Sequence, residues 1–168
     1  LGSLYNYIDY GKERFDYNGQ REEPFRKLLL AETQKFYNHQ NEYYINELKP
    51  LFQENGFSIG DYQSITVEQV KLVNDYFLKT IFPMLTPMLF DNYHTFPTLK
   101  NNRLLFGVVT RVASDTPSQQ KVSFIQIPGN LPRFYELNDY VTRLFIPIEE
   151  IIRKNIHQLF RNVEITGI

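Results

Sequence analysis

The sequence predicts an α+β fold, in which an antiparallel helical hairpin precedes a small, mostly antiparallel sheet with one helix packed against it. Apolar residues recur at helical spacing in the first half of the chain, whereas strand-length apolar runs dominate after residue 103. Pro83, Pro87 and Pro97 mark the extended connection where the period changes. Helices followed by a run of strands are typical of α+β domains.

The first helix is predicted between Pro24 and Gly56. Pro24 suits the first helical turn because its missing N–H has no intrahelical partner there. Pro50 is expected to kink the last turn, and Gly56 is a favourable C-terminal stop. Apolar residues at intervals of 7, 7, 4 and 3 form one stripe along this helix: Leu30, Tyr37, Tyr44, Leu48 and Leu51.

The second helix is predicted from Thr66 to about Phe82. Thr66 and Gln69 have the spacing of a capping box, which satisfies free N–H groups at a helix start. The helix should end near Phe82, because a residue before proline is disfavoured in the α conformation. Its apolar stripe is expected to pack against that of the first helix: Val70, Val73, Phe77 and Ile81.

Strands are predicted in the second half of the chain. The runs at 103–112 and 121–127, separated by a polar turn, indicate an antiparallel pair. Shorter strands are expected at 133–137 and 143–146, a helix at 148–160, and a final strand at 162–168. The predicted domains are residues 1–62, with the first helix, and residues 63–168, with the sheet.

The composition narrows the class of protein. The 168 residues include 42% hydrophobic residues but no 18-residue apolar run, so no transmembrane segment is expected. No secretory signal is expected either. A net charge of −1 argues against a general polyanion-binding surface, and no nucleic acid partner is expected. The 12 Tyr and 14 Phe favour packing of cores and interfaces.

Neither a catalytic nor a metal-binding set of residues emerges. The chain has no cysteine, and His39, His94 and His157 lie in different elements without ligand spacing. His94, three residues after Asp91, has two interpretations: a phosphate or subunit contact, or a ring that hydrogen-bonds the backbone of a proline-rich loop. The second is favoured. We therefore predict no catalytic, cofactor-binding or metal-binding residue.

A structural role is favoured for three charged residues in or after the segment 127–134: Arg133, Glu149 and Glu150. Arg133, close to Pro128 and Pro132, has the geometry of an anion clamp, but a salt bridge to Glu136 or to another acidic residue is favoured. Glu149 and Glu150 are consecutive helical residues about 100° apart, so the helix dipole explains them better than paired catalysis. No phosphate-binding glycine loop is present.

Two segments resemble a known family. Residues 76–100, YFLKTIFPMLTPMLFDNYHTFPTLK, and residues 127–134, IPGNLPRF, are similar to motifs in the head domain of long-chain bacterial polyphosphate kinases. The likeness extends to LFIPIEEIIRKNIHQLF. Thr95 departs from the pattern, since the family usually has proline after the histidine.

The resemblance implies an internal part of such an enzyme, joining the end of its N-terminal helical domain to the first part of its head domain. The family transfers the terminal phosphate of ATP to polyphosphate through a phosphohistidine, with ATP and Mg²⁺. Its catalytic and nucleotide-binding motifs have no match here, so this portion is expected to be inactive. The head domain implies dimer contacts, hence a homo-oligomer, and a cytoplasmic location is expected. The alternative is a free-standing protein-binding module.

Overall fold

The computed structural model of the chain describes residues 15, 22–60, 62–91, 95–111, 120–138 and 143–168. The chain divides into two compact units, residues 1–55 and 56–168. The second unit begins before the predicted domain boundary at residue 62, because Phe57–Ile59 forms a strand that pairs with a strand late in the chain. The boundary of the two domains after residue 62 stays a prediction. No helix within the described ranges is long and apolar enough to cross a bilayer.

The first unit is helical. Helix α1 spans Glu22–Tyr43, a π-helical turn spans Tyr44–Leu48, and helix α2 spans Lys49–Glu54. This π turn directly precedes Pro50, whose missing N–H and bulky ring disfavour regular α-helical hydrogen bonds to the turn before it. The kink expected at Pro50 stays a prediction. Gly56 then adopts a φ of 77°, a left-handed conformation that suits glycine and stops the helix as predicted.

The apolar stripe of α1 is largely exposed. Leu30, Tyr37 and Leu51 have exposed fractions of 42%, 59% and 49%. None of the described side chains in 25–55 is fully buried. The expectation that these three residues pack in a core is therefore wrong, because a helix buries its stripe only against a second element. The antiparallel arrangement of the two predicted helices relates the two units and stays a prediction.

The second unit opens with strand β1, Phe57–Ile59, and helix α3, Val67–Tyr76. The predicted capping box is confirmed: the Thr66 N–H donates to Gln69 Oε1 (2.9 Å), and the Gln69 N–H donates to Thr66 Oγ1 (3.3 Å). After α3 the chain continues through a π turn, Phe77–Ile81, and a 3₁₀ turn, Phe82–Met84. Pro83 explains why the regular helix is lost here.

The described strands form two sheets rather than the single sheet predicted. The strands after α3 are β2 (Pro87–Phe90), β3 (Leu105–Arg111), β4 (Lys121–Gln126), β5 (Phe134–Asn138), β6 (Arg143–Pro147) and β7 (Glu164–Gly167). One sheet has the order β1-β6-β5 and the other β2-β4-β3-β7. The pairs are antiparallel except β1 with β6. The short strands β1 and β2 were not predicted.

Helix α4, Ile148–Asn155, lies next to the core and continues as a 3₁₀ turn, Ile156–Leu159. It contacts α3, the π turn after α3, and β6. Its apolar side joins the α3 stripe and the inner faces of β3 and β4 in one cluster of buried side chains: Val73, Phe77, Ile81, Phe106, Val108, Ile125, Ile148, Ile151, Ile152 and Ile156. The predicted α+β class, with a helix packed on a mostly antiparallel arrangement of strands, is confirmed.

Candidate functional site

The histidines do not form a site in the part of the chain that the structure describes. His39 is exposed on α1, and His157 is exposed in the 3₁₀ turn after α4. His94 lies outside the described residues, so its role stays a prediction. Among the described side chains, no group of His, Asp or Glu is arranged to hold a metal ion.

The segment 127–134 is a tight connection between β4 and β5. The Leu131 N–H donates to the carbonyl of Pro128 (3.3 Å), which closes a turn. The Ile148 N–H donates to the carbonyl of Arg133 (3.0 Å), which attaches the end of the segment to the start of α4. The segment is therefore a joint between the two sheets and α4.

Arg133 makes a two-pronged ion pair with Glu149. Its two terminal guanidinium nitrogens donate to the two carboxylate oxygens of Glu149. The predicted alternative partner, Glu136, instead lies 3.8 Å from Arg143. The strand register explains the choice: Phe134 pairs with Pro147, so Arg133 comes next to the first turn of α4. Such fork-to-fork pairs are among the stronger ionic contacts in proteins.

Glu149 and Glu150 have separate partners. Glu150 Oε1 lies 3.8 Å from Nε of Arg153, one turn further along α4. Both carboxylates occupy the first turn of α4, where the positive end of the helix dipole favours negative charge. Each carboxylate thus has an arginine partner in the described structure, and the absence of a catalytic role for the two stays a prediction.

A groove of about 350 Å³ runs beside the joint. Its lining includes the polar residues Arg103 and Arg133, the backbone at Gly129, and the apolar residues Leu104 and Ile148. The guanidinium of Arg103 lies against Gly129, where a Cβ would overlap it. Arg103 was not among the residues predicted from the sequence. The nearest sequence signal is the Asn101-Asn102 pair shortly before β3, a pair typical of turns. The structure places a turn there, with Asn102 at a φ of 56°, which asparagine tolerates.

A second polar cluster ties β1–α3 to α4. The Asn155 side-chain amide donates to the Tyr62 hydroxyl (3.1 Å), Asn74 Oδ1 (3.1 Å) and the Ile151 carbonyl (3.0 Å). The Tyr62 hydroxyl donates to Asn74 Oδ1 (3.1 Å), and the Gln158 amide donates to Asn155 Oδ1 (2.8 Å). Sequence reasoning missed this cluster, although an asparagine in the apolar stripe of α4 was the available signal.

The Tyr62 hydroxyl is a weak acid in this setting. Burial raises the pKa of Tyr62, while the hydrogen bond from Asn155 acts in the opposite direction and is the smaller effect. The hydroxyl therefore stays protonated and serves as a hydrogen-bond donor. The cluster holds together the loop after β1, helix α3 and helix α4. The groove differs from it, because the Arg103 side chain there is exposed to solvent.

Comparison with known proteins points to one family. The family model described as the polyphosphate kinase middle domain matches residues 68–168. The chain is 31% identical over 144 residues to the polyphosphate kinase of Dictyostelium discoideum, covering 86% of this chain and 13% of that protein. It is 33% identical over 120 residues to the enzyme of Campylobacter coli, covering 71% of this chain and 17% of that protein.

A solved structure has the same fold. The crystal structure of polyphosphate kinase from Porphyromonas gingivalis superposes with a TM-score of 0.70 at 20% identity, over 87% of this chain and 24% of that one. The chain thus spans only a small part of the length of the relatives it matches. Because the middle-domain model covers more than half of the chain, this protein belongs to the polyphosphate kinase family.

Proposed function

We propose that the chain is a non-catalytic structural and oligomerising part of a polyphosphate kinase. The whole enzyme would transfer the terminal phosphate of ATP to polyphosphate, with ATP and Mg²⁺ as cofactors and with its catalytic groups outside this chain. The membership of the family and the names of the relatives support this activity for the parent protein. They favour it over a free-standing protein-binding module. The cytoplasmic location stays a prediction.

The structural role is supported by the contacts that the segment 127–134 makes with α4. Each polar group that this segment offers to α4 has a partner in the scaffold: the Arg133 carbonyl accepts from Ile148, and the Arg133 guanidinium pairs with Glu149. A catalytic arginine must be available to the developing charge of a transition state. Arg133 is instead committed to a carboxylate that holds the joint together.

Phosphotransfer assays on the isolated chain and on its parent enzyme test the proposal. With γ-labelled ATP, Mg²⁺ and a polyphosphate primer, we expect the parent to extend the primer and the isolated chain to transfer no label, because phosphoryl transfer depends on positioned charge. The matched control is the isolated chain added to the parent, which excludes an inhibitor in the preparation. Formation of labelled polymer, or of an acid-labile phosphoprotein, by the isolated chain would contradict the proposal.

A further inference from the structure

The guanidinium of Arg103 is a cation without an assigned role. Among the described residues it makes no ion pair or hydrogen bond, unlike Arg111, Arg133, Arg143 and Arg153, which each lie within 4.0 Å of a carboxylate oxygen. Arginine binds phosphate through two parallel N–H groups, and its charge persists at any physiological pH. A free guanidinium at the wall of a groove is thus suited to a phosphate group.

The backbone around Arg103 is held on both sides. The Ile127 N–H donates to the Leu104 carbonyl (2.9 Å), which continues the β3–β4 pairing beyond Leu105 and Gln126. The side-chain amide of Gln126 donates to the Lys100 carbonyl (2.9 Å). The turn between Lys100 and Leu104 is therefore attached to β4, and Arg103 starts from a defined point. Such preorganisation lowers the entropic cost of binding.

Gly129 provides the space that the Arg103 guanidinium occupies. A Cβ built on Gly129 would overlap three atoms of that guanidinium, and its φ lies outside the left-handed region. Glycine is therefore required here for the approach of a side chain rather than for its own backbone conformation. An alanine at this position would displace the guanidinium, which is the end of a flexible side chain, at little cost to the fold.

We infer that the groove between the 100–104 turn and the 127–134 segment binds the phosphate chain of inorganic polyphosphate, with the Arg103 guanidinium as its principal contact. Arg133 reinforces the positive side of the groove, although Glu149 neutralises much of its charge. The volume of about 350 Å³ is at the lower end of that of ligand sites, which suits a few phosphate units. The choice of polyphosphate rests on the proposed function.

Calorimetric titration of the 168-residue chain with sodium tripolyphosphate at low ionic strength tests this inference. Arg103→Gln should weaken binding at least about tenfold, the loss expected of a charge-assisted contact. Arg103→Lys should weaken binding by an intermediate amount, because lysine keeps the positive charge but lacks the two parallel N–H donors of arginine. Gly129→Ala should also weaken binding while the thermal midpoint stays unchanged. Arg143→Gln, which removes the same charge from β6, is the matched control and should change the affinity by less than about twofold.

Three results would overturn the inference. Equal losses in the Arg103 and Arg143 variants would mean that the chain attracts anions only through its overall charge. ATP that binds more tightly than tripolyphosphate, with the same dependence on Arg103, would assign the groove to a nucleotide. Absence of tripolyphosphate binding at millimolar concentration would remove the site altogether. None of these results depends on phosphotransfer by the parent enzyme, so the proposed function is judged separately.

Discussion

Asn155 is the most deeply buried amide in the described core, with an exposed fraction of 3%. Replacing it by leucine adds apolar surface, yet it leaves the Tyr62 hydroxyl without a donor and Gln158 without an acceptor. It also removes one of the two donors to Asn74 Oδ1, of which the Tyr62 hydroxyl remains. We expect Asn155→Leu to lower the free energy of unfolding by about 1–3 kcal/mol, because buried polar groups without partners are costly. Urea denaturation measures this. Asn130→Ala, in the exposed turn, is the control; an equal loss there would show that the Asn155 network contributes nothing particular.

Because of Tyr62 and Tyr76, the free energy of unfolding should decrease at high pH. Burial raises the pKa of Tyr62, and burial together with the charge of Tyr135 raises the pKa of Tyr76, in both cases above the ordinary value of 10.0. The folded state thus holds these protons more tightly than the unfolded chain. Their stabilising contribution is complete below pH 10 and decreases as the pH rises through the raised folded pKa values. Urea midpoints measured between about pH 9 and about pH 11 should fall, and less steeply for Tyr62→Phe. An identical slope for that variant would contradict the role of Tyr62.

The helical segment that follows Thr66 buries one of its faces in the core of the second unit and exposes the other. Phe77 is fully buried in the π turn, whereas its neighbour Leu78 is 47% exposed. We expect Phe77→Ala to cost about 3–5 kcal/mol, through lost burial and the cavity left behind. Leu78→Ala, in the same turn, should cost less than about 0.5 kcal/mol. Thermal or chemical unfolding of both variants is the measurement, and similar losses would show that the face is assigned wrongly.

The joint between β5 and α4 depends on the Arg133–Glu149 pair. A double-mutant cycle with Arg133→Gln and Glu149→Gln should give a coupling energy of about 1 kcal/mol, since both groups are partly exposed and the pair is two-pronged. Added salt should reduce it. The cycle for Glu150 and Arg153, which are 3.8 Å apart, is the control and should give a smaller coupling. A coupling of zero at low salt would mean that the pair does not hold the joint.

At the scale of the whole molecule, the proposed self-association has an identifiable surface. Strand β7 ends the order β2-β4-β3-β7, so within the described sheet its outer edge has no neighbouring strand. Free edges pair readily with another strand. The aromatic-rich opening of the chain, residues 4–17, is also predicted to take part, and apart from Phe15 it lies outside the described residues.

We expect a homodimer or larger assembly at micromolar concentration that salt weakens little, because edge pairing and apolar contact do not rely on net charge. Sedimentation over a concentration series at low and high salt is the measurement. Thr166→Pro removes an N–H from β7 and is the edge variant, and Thr98→Pro, in an exposed loop, is its control. A monomer at all concentrations, or a dimer that dissociates in salt, would count against this mode of association.

Local sequence patterns predicted the elements that depend on near neighbours. The Thr66–Gln69 capping box, the stop at Gly56 and the strands β3 and β4 all appear where their residue types favour them. Strand β1, by contrast, has only three residues, and β2 has four and begins with a proline, so neither gives a strong local signal. Both exist because pairing partners far along the chain, β6 and β4, supply their hydrogen bonds.

The sequence by itself determined the α+β class, the family and the order of the predicted elements, because periodicity, caps and proline positions act over a few residues. Only the tertiary structure decided that Arg133 pairs with Glu149, that Asn155 links Tyr62 to Asn74, and that Arg103 lies against Gly129. These contacts join residues from elements separated in the chain. Their partners follow from strand register and helix packing, and several side chains of suitable chemistry compete for each until that packing brings one of them within hydrogen-bonding distance.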